Sequence, residues 1–298
     1  MKGISRTALM IALVALPGLT RAACPQYDAA VAAVEGGDVA TASAIYSEIA
    51  VEPTCDDALR DWMGSFLARD AFRTGMDTSL TAEARMAAFQ QALSYEPHWR
   101  SYAALARLEW DGQDYASAAR DYQLAINQLV EGPADDSATE AEIAEVYQMA
   151  SAAVALSPTV VAMPTTRSGE EGGLFATNIR GYEVTEVPLP ITFVYATDDF
   201  DETGAAYAQM LADHLNTFAP DSITLSGHTD PIGSDDYNME LSEERAVALA
   251  DFLRAQGYEG EITTVGFGRT QLPPAPPGIE PGSEEYNRIA RRVTIAEN

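Results

Sequence analysis

Lysine is all but absent from this chain: Lys2 is the only one among 298 residues. A chain that sheds its first residues therefore has no side-chain amine through which it could be joined covalently to another polymer. Basic residues are scarce altogether, 18 Lys and Arg against 45 Asp and Glu, giving a formal net charge of −27. So acidic a field repels phosphate, which makes nucleic acid and anionic lipid surfaces poor partners. The three histidines and two cysteines are scattered, with no spacing that suits a zinc site, a cofactor or a nucleophile–histidine pair. Beyond the first residues no apolar run reaches the roughly 18 positions that a membrane-crossing helix needs. What is present is ample core material: 47% of residues are hydrophobic. The length allows one large or two ordinary domains.

The start reads as a leader. Lys2 and Arg6 precede an apolar run from Thr7 to Leu19, and Thr20-Arg21-Ala22-Ala23 supplies small residues for cleavage. Residues 1–23 are therefore expected to be a signal peptide, and its loss with Lys2, Arg6 and Arg21 takes the charge from −27 to −30. Cys24 follows at once. A lipoprotein signal would acylate it, but Arg21 stands where such signals carry an aliphatic residue. In an exported chain the simpler expectation is a disulfide from Cys24 to Cys55, the only other cysteine.

Residues 24–158 are rich in alanine and nearly free of strand signals. Gly37-Asp38 between Ala-rich runs, then Tyr46 and Pro53, predicts a helix, a tight turn and a second helix. Related patterns recur at Ala84, Phe89, Ala92 and Pro97, and at Tyr102, Leu105, Ala106, Gly112, Tyr115, Ala118, Tyr122 and Ala125. They resemble the tetratricopeptide repeat of about 34 residues, though the units are degenerate; a plain alanine-rich helical bundle is the alternative. Glu140–Leu156 supplies another amphipathic helix to cap the stack. An array of helical hairpins offers a surface to a protein partner. His98 reads as a helix-start or packing residue.

Residues 159–189, polar and turn-rich around Gly169-Glu170-Glu171-Gly172-Gly173, form the expected connector, in which Tyr182 to Val187 is an edge strand or an extended arm. From 190 to 298 strands and helices alternate. Ile191–Tyr195, Ser222–Gly227, Glu261–Val265 and Arg292–Ile295 are predicted as strands, with helices from Glu202 to Phe218 and from an N-cap at Ser242 to Gln256. The fold class is thus two domains, an N-terminal all-α hairpin array and a C-terminal α+β sandwich of β-α-β-α-β order.

One carboxylate and one guanidinium stand out in the C-terminal part. Asp230 closes Gly227-His228-Thr229-Asp230 at a strand end, and Arg245 lies on the following helix. The turn between them can bring both to one cleft, where Asp230 would take an ammonium and Arg245 a carboxylate through its planar fork. Spacing alone favours the alternative, a structural Asp230–Arg245 salt bridge. His228 and His214 read as packed residues.

Gly227-His228-Thr229-Asp230, Gly233, Asn238, Leu241-Ser242, Arg245-Ala246, Gly266-Phe267-Gly268 and Arg291-Arg292-Val293 fall, in that order, in a pattern that resembles the OmpA C-terminal-like domain of Gram-negative envelope proteins. The resemblance covers nearly all of residues 190–298. It implies a peptidoglycan-binding module in which Asp230 and Arg245 hold the free ammonium and carboxylate of diaminopimelate in the stem peptide. It also implies that Thr229, Asn238 and Leu241 line the pocket, and that Arg291 adds positive charge beside the ligand carboxylate. Two positions depart from the family: Val194 stands where an aspartate is usual and Ala290 where an asparagine is. The proline-rich loop from Gln271 to Gly278 is either a rim of the cleft or a surface loop.

The expectation is a non-catalytic, wall-associated protein of the periplasm, at or near the outer membrane, whose helical half meets an envelope protein. The alternative is an envelope or secretion-assembly adaptor with a weakened wall module. A wall hydrolase would need a paired acid and base or a metal, and no such constellation is recognisable.

Overall fold

The computed structural model describes residues 24–297 apart from 133–137, 165, 167–168, 170–171, 177, 180–181, 185 and 195. The leader expected over residues 1–23 lies outside the described residues.

The chain opens with helices α1 (Tyr27–Gly36), α2 (Val39–Ile49), α3 (Asp57–Gly75), α4 (Ala82–Tyr95), α5 (Trp99–Asp111), α6 (Tyr115–Glu131) and α7 (Glu140–Leu156). Side-chain oxygens set most of their starts by accepting orphan backbone N–H groups. Asp38, Asp56, Thr81 and Asp114 cap α2, α3, α4 and α6, and Thr139 with Glu142 forms a reciprocal capping box on α7. His98 caps α5 through its ring, one of the two roles, helix start or packing, expected of it. Short turns make hairpins of α1–α2 and α5–α6; the first turns on Gly37, whose φ of 69° suits glycine. Where helices cross, Ala42, Ala118 and Ala125 are fully buried, so small side chains allow close approach.

Two cores result. The smaller, of α1 to α3, packs Ile49, Leu59, Met63 and Leu67 around a disulfide between Cys24 and Cys55. The bond closes a separation of 31 residues, a loop length for which chain entropy contributes about 3–4 kcal/mol. Cys24→Ala with Cys55→Ala is accordingly expected to lower the stability of this N-terminal cluster by about that amount. Urea unfolding followed by hydrogen exchange would show α1–α3 opening first while the rest of the fold holds.

The larger core runs from α5–α7 into the C-terminal unit without a break, joining Trp110, Ile126, Leu129 and Val154 to Leu174, Ile179, Tyr207, Leu211, Leu225 and Leu249. The segment expected as a connector takes part in it. A 3₁₀ turn (Gly173–Phe175) and strands β1 (Asn178–Ile179) and β2 (Tyr182–Glu183) bring Leu174, Phe175 and Ile179 into the interior. The proline-rich loop belongs to the same junction: Trp110 Nε1 donates to the Pro277 carbonyl at 2.9 Å, and Gln148 Nε2 to that of Pro274 at 3.4 Å.

One buried acidic pair in the helices has a pH signature. Glu109 on α5 and Asp121 on α6 are both buried, and the half-exposed Arg120 reaches Asp121 at 2.9 Å and Glu109 at 3.8 Å. Burial, then the Asp121 charge, pushes the Glu109 carboxyl up from 4.5 to about 8. A carboxyl raised on folding gives stability that is full below 4.5 and is lost as pH rises through about 8. The chain is expected to resist denaturant better at pH 5 than at pH 8.5, and Glu109→Gln to flatten that difference; midpoints measured at the two pH values check it.

The C-terminal unit builds one mixed sheet of order β3-β6-β4-β5 from β3 (Val187–Leu189), β4 (Ser222–Gly227), β5 (Glu261–Gly266) and β6 (Val293–Glu297). β6 is antiparallel to β3 and β4, and β4 is parallel to β5. Helix α8 (Glu202–Phe218), capped by Asp201, packs against α9 (Asp235–Ala255), which lies across β4 and β5. A short α10 (Glu284–Ala290) precedes β6.

Three expectations need correction here. The first strand is Val187–Leu189, not the expected Ile191–Tyr195, of which Tyr195 lies outside the described residues; Pro190 ends the pairing, and Phe193 makes only an isolated bridge to Phe200. Helix α9 starts at Asp235 behind an N-cap at Ser234, so Ser242 lies inside it. The acids Asp235 and Asp236 suit that earlier first turn. Helix α10 was not expected at all, although Ser283 followed by Glu284 and Glu285 carries a start signal.

Candidate functional site

The site grows from the C-terminal end of β4. At Gly227 a Cβ would sit 1.9 Å from the carbonyl oxygen of Ser242, so only glycine lets α9 cross the strand this closely. The chain then leaves the sheet under tight control. His228 N–H donates to the Arg292 carbonyl, and Thr229 N–H to that of Gly268, both at 2.9 Å. The His228 ring is fully buried and stacked on Phe267, and burial lowers its pKa, so it packs as a neutral ring. Asp230 Oδ1 accepts the Ile232 N–H at 2.9 Å, and Asn238 Nδ2 donates to the Ile232 carbonyl at 3.0 Å. Arg269 fastens the loop to the helix start, donating to Asp235 at 2.6 Å and to the Pro231 carbonyl at 2.9 Å. The Asp230 carboxylate is thereby fixed at the mouth of α9.

On α9, Asn238, Leu241 and Arg245 stand at i, i+3 and i+7 and share one face. The same buried stripe continues through Ala246, Leu249, Ala250 and Leu253, none of them exposed, each leucine contributing roughly 1.5–3 kcal/mol. Arg245 is only 4% exposed. Its Nε donates to the Thr197 carbonyl at 3.1 Å, and its guanidinium carbon lies 4.9 Å from the centre of the Phe193 ring. Among the described residues no carboxylate pairs with it. Burial, then the nearby charge of Arg291, pushes its pKa below the usual value.

A cleft of about 510 Å³ gathers all six residues singled out in the sequence: Thr229, Asp230, Asn238, Leu241, Arg245 and Arg291. The Asp230–Arg245 salt bridge favoured by the spacing is not formed. Asp230 Oδ2 instead accepts from Arg291 Nη1 at 2.9 Å, and Arg291 Nη2 donates to Glu284 at 2.6 Å. Arg291 therefore stands beside the carboxylate of Asp230, at the C-cap of α10, rather than on the final strand. Phe193, Tyr237 and Glu284 also line the cleft and were not foreseen. The two departures lie off it: Val194 is exposed, Ala290 is fully buried, and neither lines the cleft. Nor does the proline-rich loop from Gln271 to Gly278. Among the described residues no His, Cys, Asp and Glu group could hold a metal, and no helix is long and apolar enough to cross a membrane.

Residues 192–285 match the model of the OmpA family. The peptidoglycan-associated lipoprotein of Pasteurella multocida is 31% identical over 114 residues, which span 37% of this chain and 75% of that protein. The chain belongs to the OmpA family. Outer membrane porin F of Pseudomonas aeruginosa is 35% identical over 113 residues, so this chain spans only 31% of that relative's length. The periplasmic domain of Helicobacter pylori MotB shares 19% identity over 38% of this chain and 72% of that one, with a TM-score of 0.32. The OmpA-family match begins at Thr192, after β3, and ends at Glu285, inside α10. Asp230 and Arg245 lie inside the matched span and Arg291 just beyond it.

Proposed function

We propose that this chain is a non-catalytic anchor of the periplasm that grips peptidoglycan through the cleft between the Asp230 loop and α9. The ligand is the free end of diaminopimelate in the stem peptide, with its carboxylate on Arg245 and its ammonium on Asp230. Thr229, Asn238 and Leu241 shape the floor.

The observation that carries this reading is the state of Arg245. A guanidinium 4% exposed and without an acidic partner among the described residues is a costly thing to keep in a folded interior. The cost makes sense if an anion enters the cleft and completes the pair. Asp230, lining the same cleft and already carrying one cation, is the natural receiver of the ligand's ammonium, which takes the place of Arg291 while Arg291 stays on Glu284. The name of the Pasteurella relative, a peptidoglycan-associated lipoprotein, supports the same reading.

A single charged cleft binds modestly, and the dense repetition of stem peptides in the wall raises retention through local concentration. The helical part, with its hairpins resembling tetratricopeptide repeats, presents a surface to an envelope protein at or near the outer membrane. In pull-down on purified sacculi, Asp230→Ala is expected to cut retention by roughly tenfold or more, the value of a lost charge-assisted contact. Retention equal to the wild type would overturn the assignment of the cleft.

A further inference from the structure

Behind the main cleft lies a smaller cavity of about 140 Å³, lined by Thr192, Phe193, Asp201, Arg245, Arg288 and Arg291. It shares Phe193, Arg245 and Arg291 with the main cleft, so the two are neighbouring compartments. Three arginines line it in a chain whose net charge is −27. The single acid among its lining residues is already committed: Asp201 Oδ1 accepts from Thr192 Oγ1 at 2.6 Å and from the Gly204 N–H at 2.7 Å as the N-cap of α8. Arg288 spends one N–H on the Ser157 carbonyl at 3.1 Å, which steadies it and leaves most of its five donors. Arg245 has no acidic partner among the described residues, while Arg291 is shared between Asp230 and Glu284 on the other side. The cavity is therefore short of negative charge.

We infer that this compartment is a second carboxylate subsite, in which Arg288 receives an anionic group of the same ligand whose diaminopimelate end occupies the main cleft. The inference rests on the proposed function of that cleft. It makes the site a reader of two carboxylates rather than one, so that a stem peptide binds better than diaminopimelate alone. Two groups of a stem peptide have the right chemistry, the α-carboxylate of the γ-linked glutamate and the carboxylate at the peptide's end. The guanidinium fork suits either through paired N–H donors. Lysine, the other cation able to serve, is absent from the described part of the chain.

The test is titration calorimetry of the full chain with four probes: diaminopimelate, a stem tetrapeptide carrying one alanine beyond its diaminopimelate, the tetrapeptide amidated on its glutamate, and the tetrapeptide amidated at its terminal alanine. Amidation at one of the two positions is expected to weaken wild-type binding roughly tenfold, the value of a charge-assisted contact in a partly buried pocket. Arg288→Gln is expected to lose that discrimination while binding diaminopimelate as the wild type does. If neither amidation changes wild-type affinity, or if Arg288→Gln still discriminates, the second subsite is wrong and the main cleft stands. If neither diaminopimelate nor the unmodified tetrapeptide binds the wild type, both readings fall. An unchanged thermal midpoint for Arg288→Gln shows that the lost Ser157 contact has not disturbed the fold.

Discussion

Arg245→Met is expected to lose about a hundredfold in affinity for diaminopimelate, ~2.7 kcal/mol, while unfolding at the same denaturant concentration as the wild type or a higher one. Opposite signs on binding and stability follow from the same feature. In the free protein the guanidinium is buried beside Phe193, with the Thr197 carbonyl as its one hydrogen-bond partner among the described residues and with Arg291 as a repelling neighbour. An unbranched apolar side chain of similar length fills the same space without the cost of a desolvated charge, and such replacements are commonly neutral or stabilising by about 1–4 kcal/mol. In the complex the guanidinium supplies paired, charge-assisted hydrogen bonds that methionine cannot make. Calorimetric titration and urea unfolding of one preparation read both effects. A variant that binds like the wild type, or that loses more than about 2 kcal/mol of stability, would identify Arg245 as a structural arginine.

Gly227→Ala is expected to cost about 3 kcal/mol or more, an overpacking effect with no local remedy. The added carbon would stand 1.9 Å from the Ser242 carbonyl oxygen, and backbone cannot swing aside as a side chain does. Either β4 or α9 must shift. The two elements hold the two ends of the proposed clamp, Asp230 just beyond β4 and Arg245 one turn beyond Ser242. The variant should therefore show a lower thermal midpoint and, in the fraction that stays folded, weaker binding. Urea unfolding and titration check the pair. Wild-type stability would mean that strand and helix do not need this close approach.

Much of the C-terminal fold was legible because its local signals agree. For α8, the apolar spacing points to Glu202–Phe218, and in the strand Ser222–Gly227 the apolar Ile223 and Leu225 are the fully buried pair. The errors arose where a local rule competed with another. Ser242 is a sound N-cap residue by type, yet Ser234 with two acids behind it is a better one, and Ser242 Oγ serves instead as acceptor for the Gly268 N–H at 2.9 Å. Ile191–Tyr195 has strand composition, but its partners are taken: β6 pairs with Val187–Leu189, and Phe193 turns to the guanidinium of Arg245. Of the site, the six residues could be named in advance; their pairing could not. That Asp230 meets Arg291 rather than Arg245 depends on α10 and on how far its C-terminus reaches across the loop. No spacing in the sequence carries that distance. The continuity of the larger core across the segment 159–189 was likewise invisible, because polar composition there hides the few apolar residues, Leu174, Phe175 and Ile179, that enter the interior.

The most direct measurement is titration of free diaminopimelate into the wild-type chain by calorimetry at low and at physiological salt. A saturable heat with one ligand per chain, weakening as salt screens the two charges, is the expected result. A folded chain that gives no heat at ligand concentrations in the millimolar range would contradict the clamp between Asp230 and Arg245.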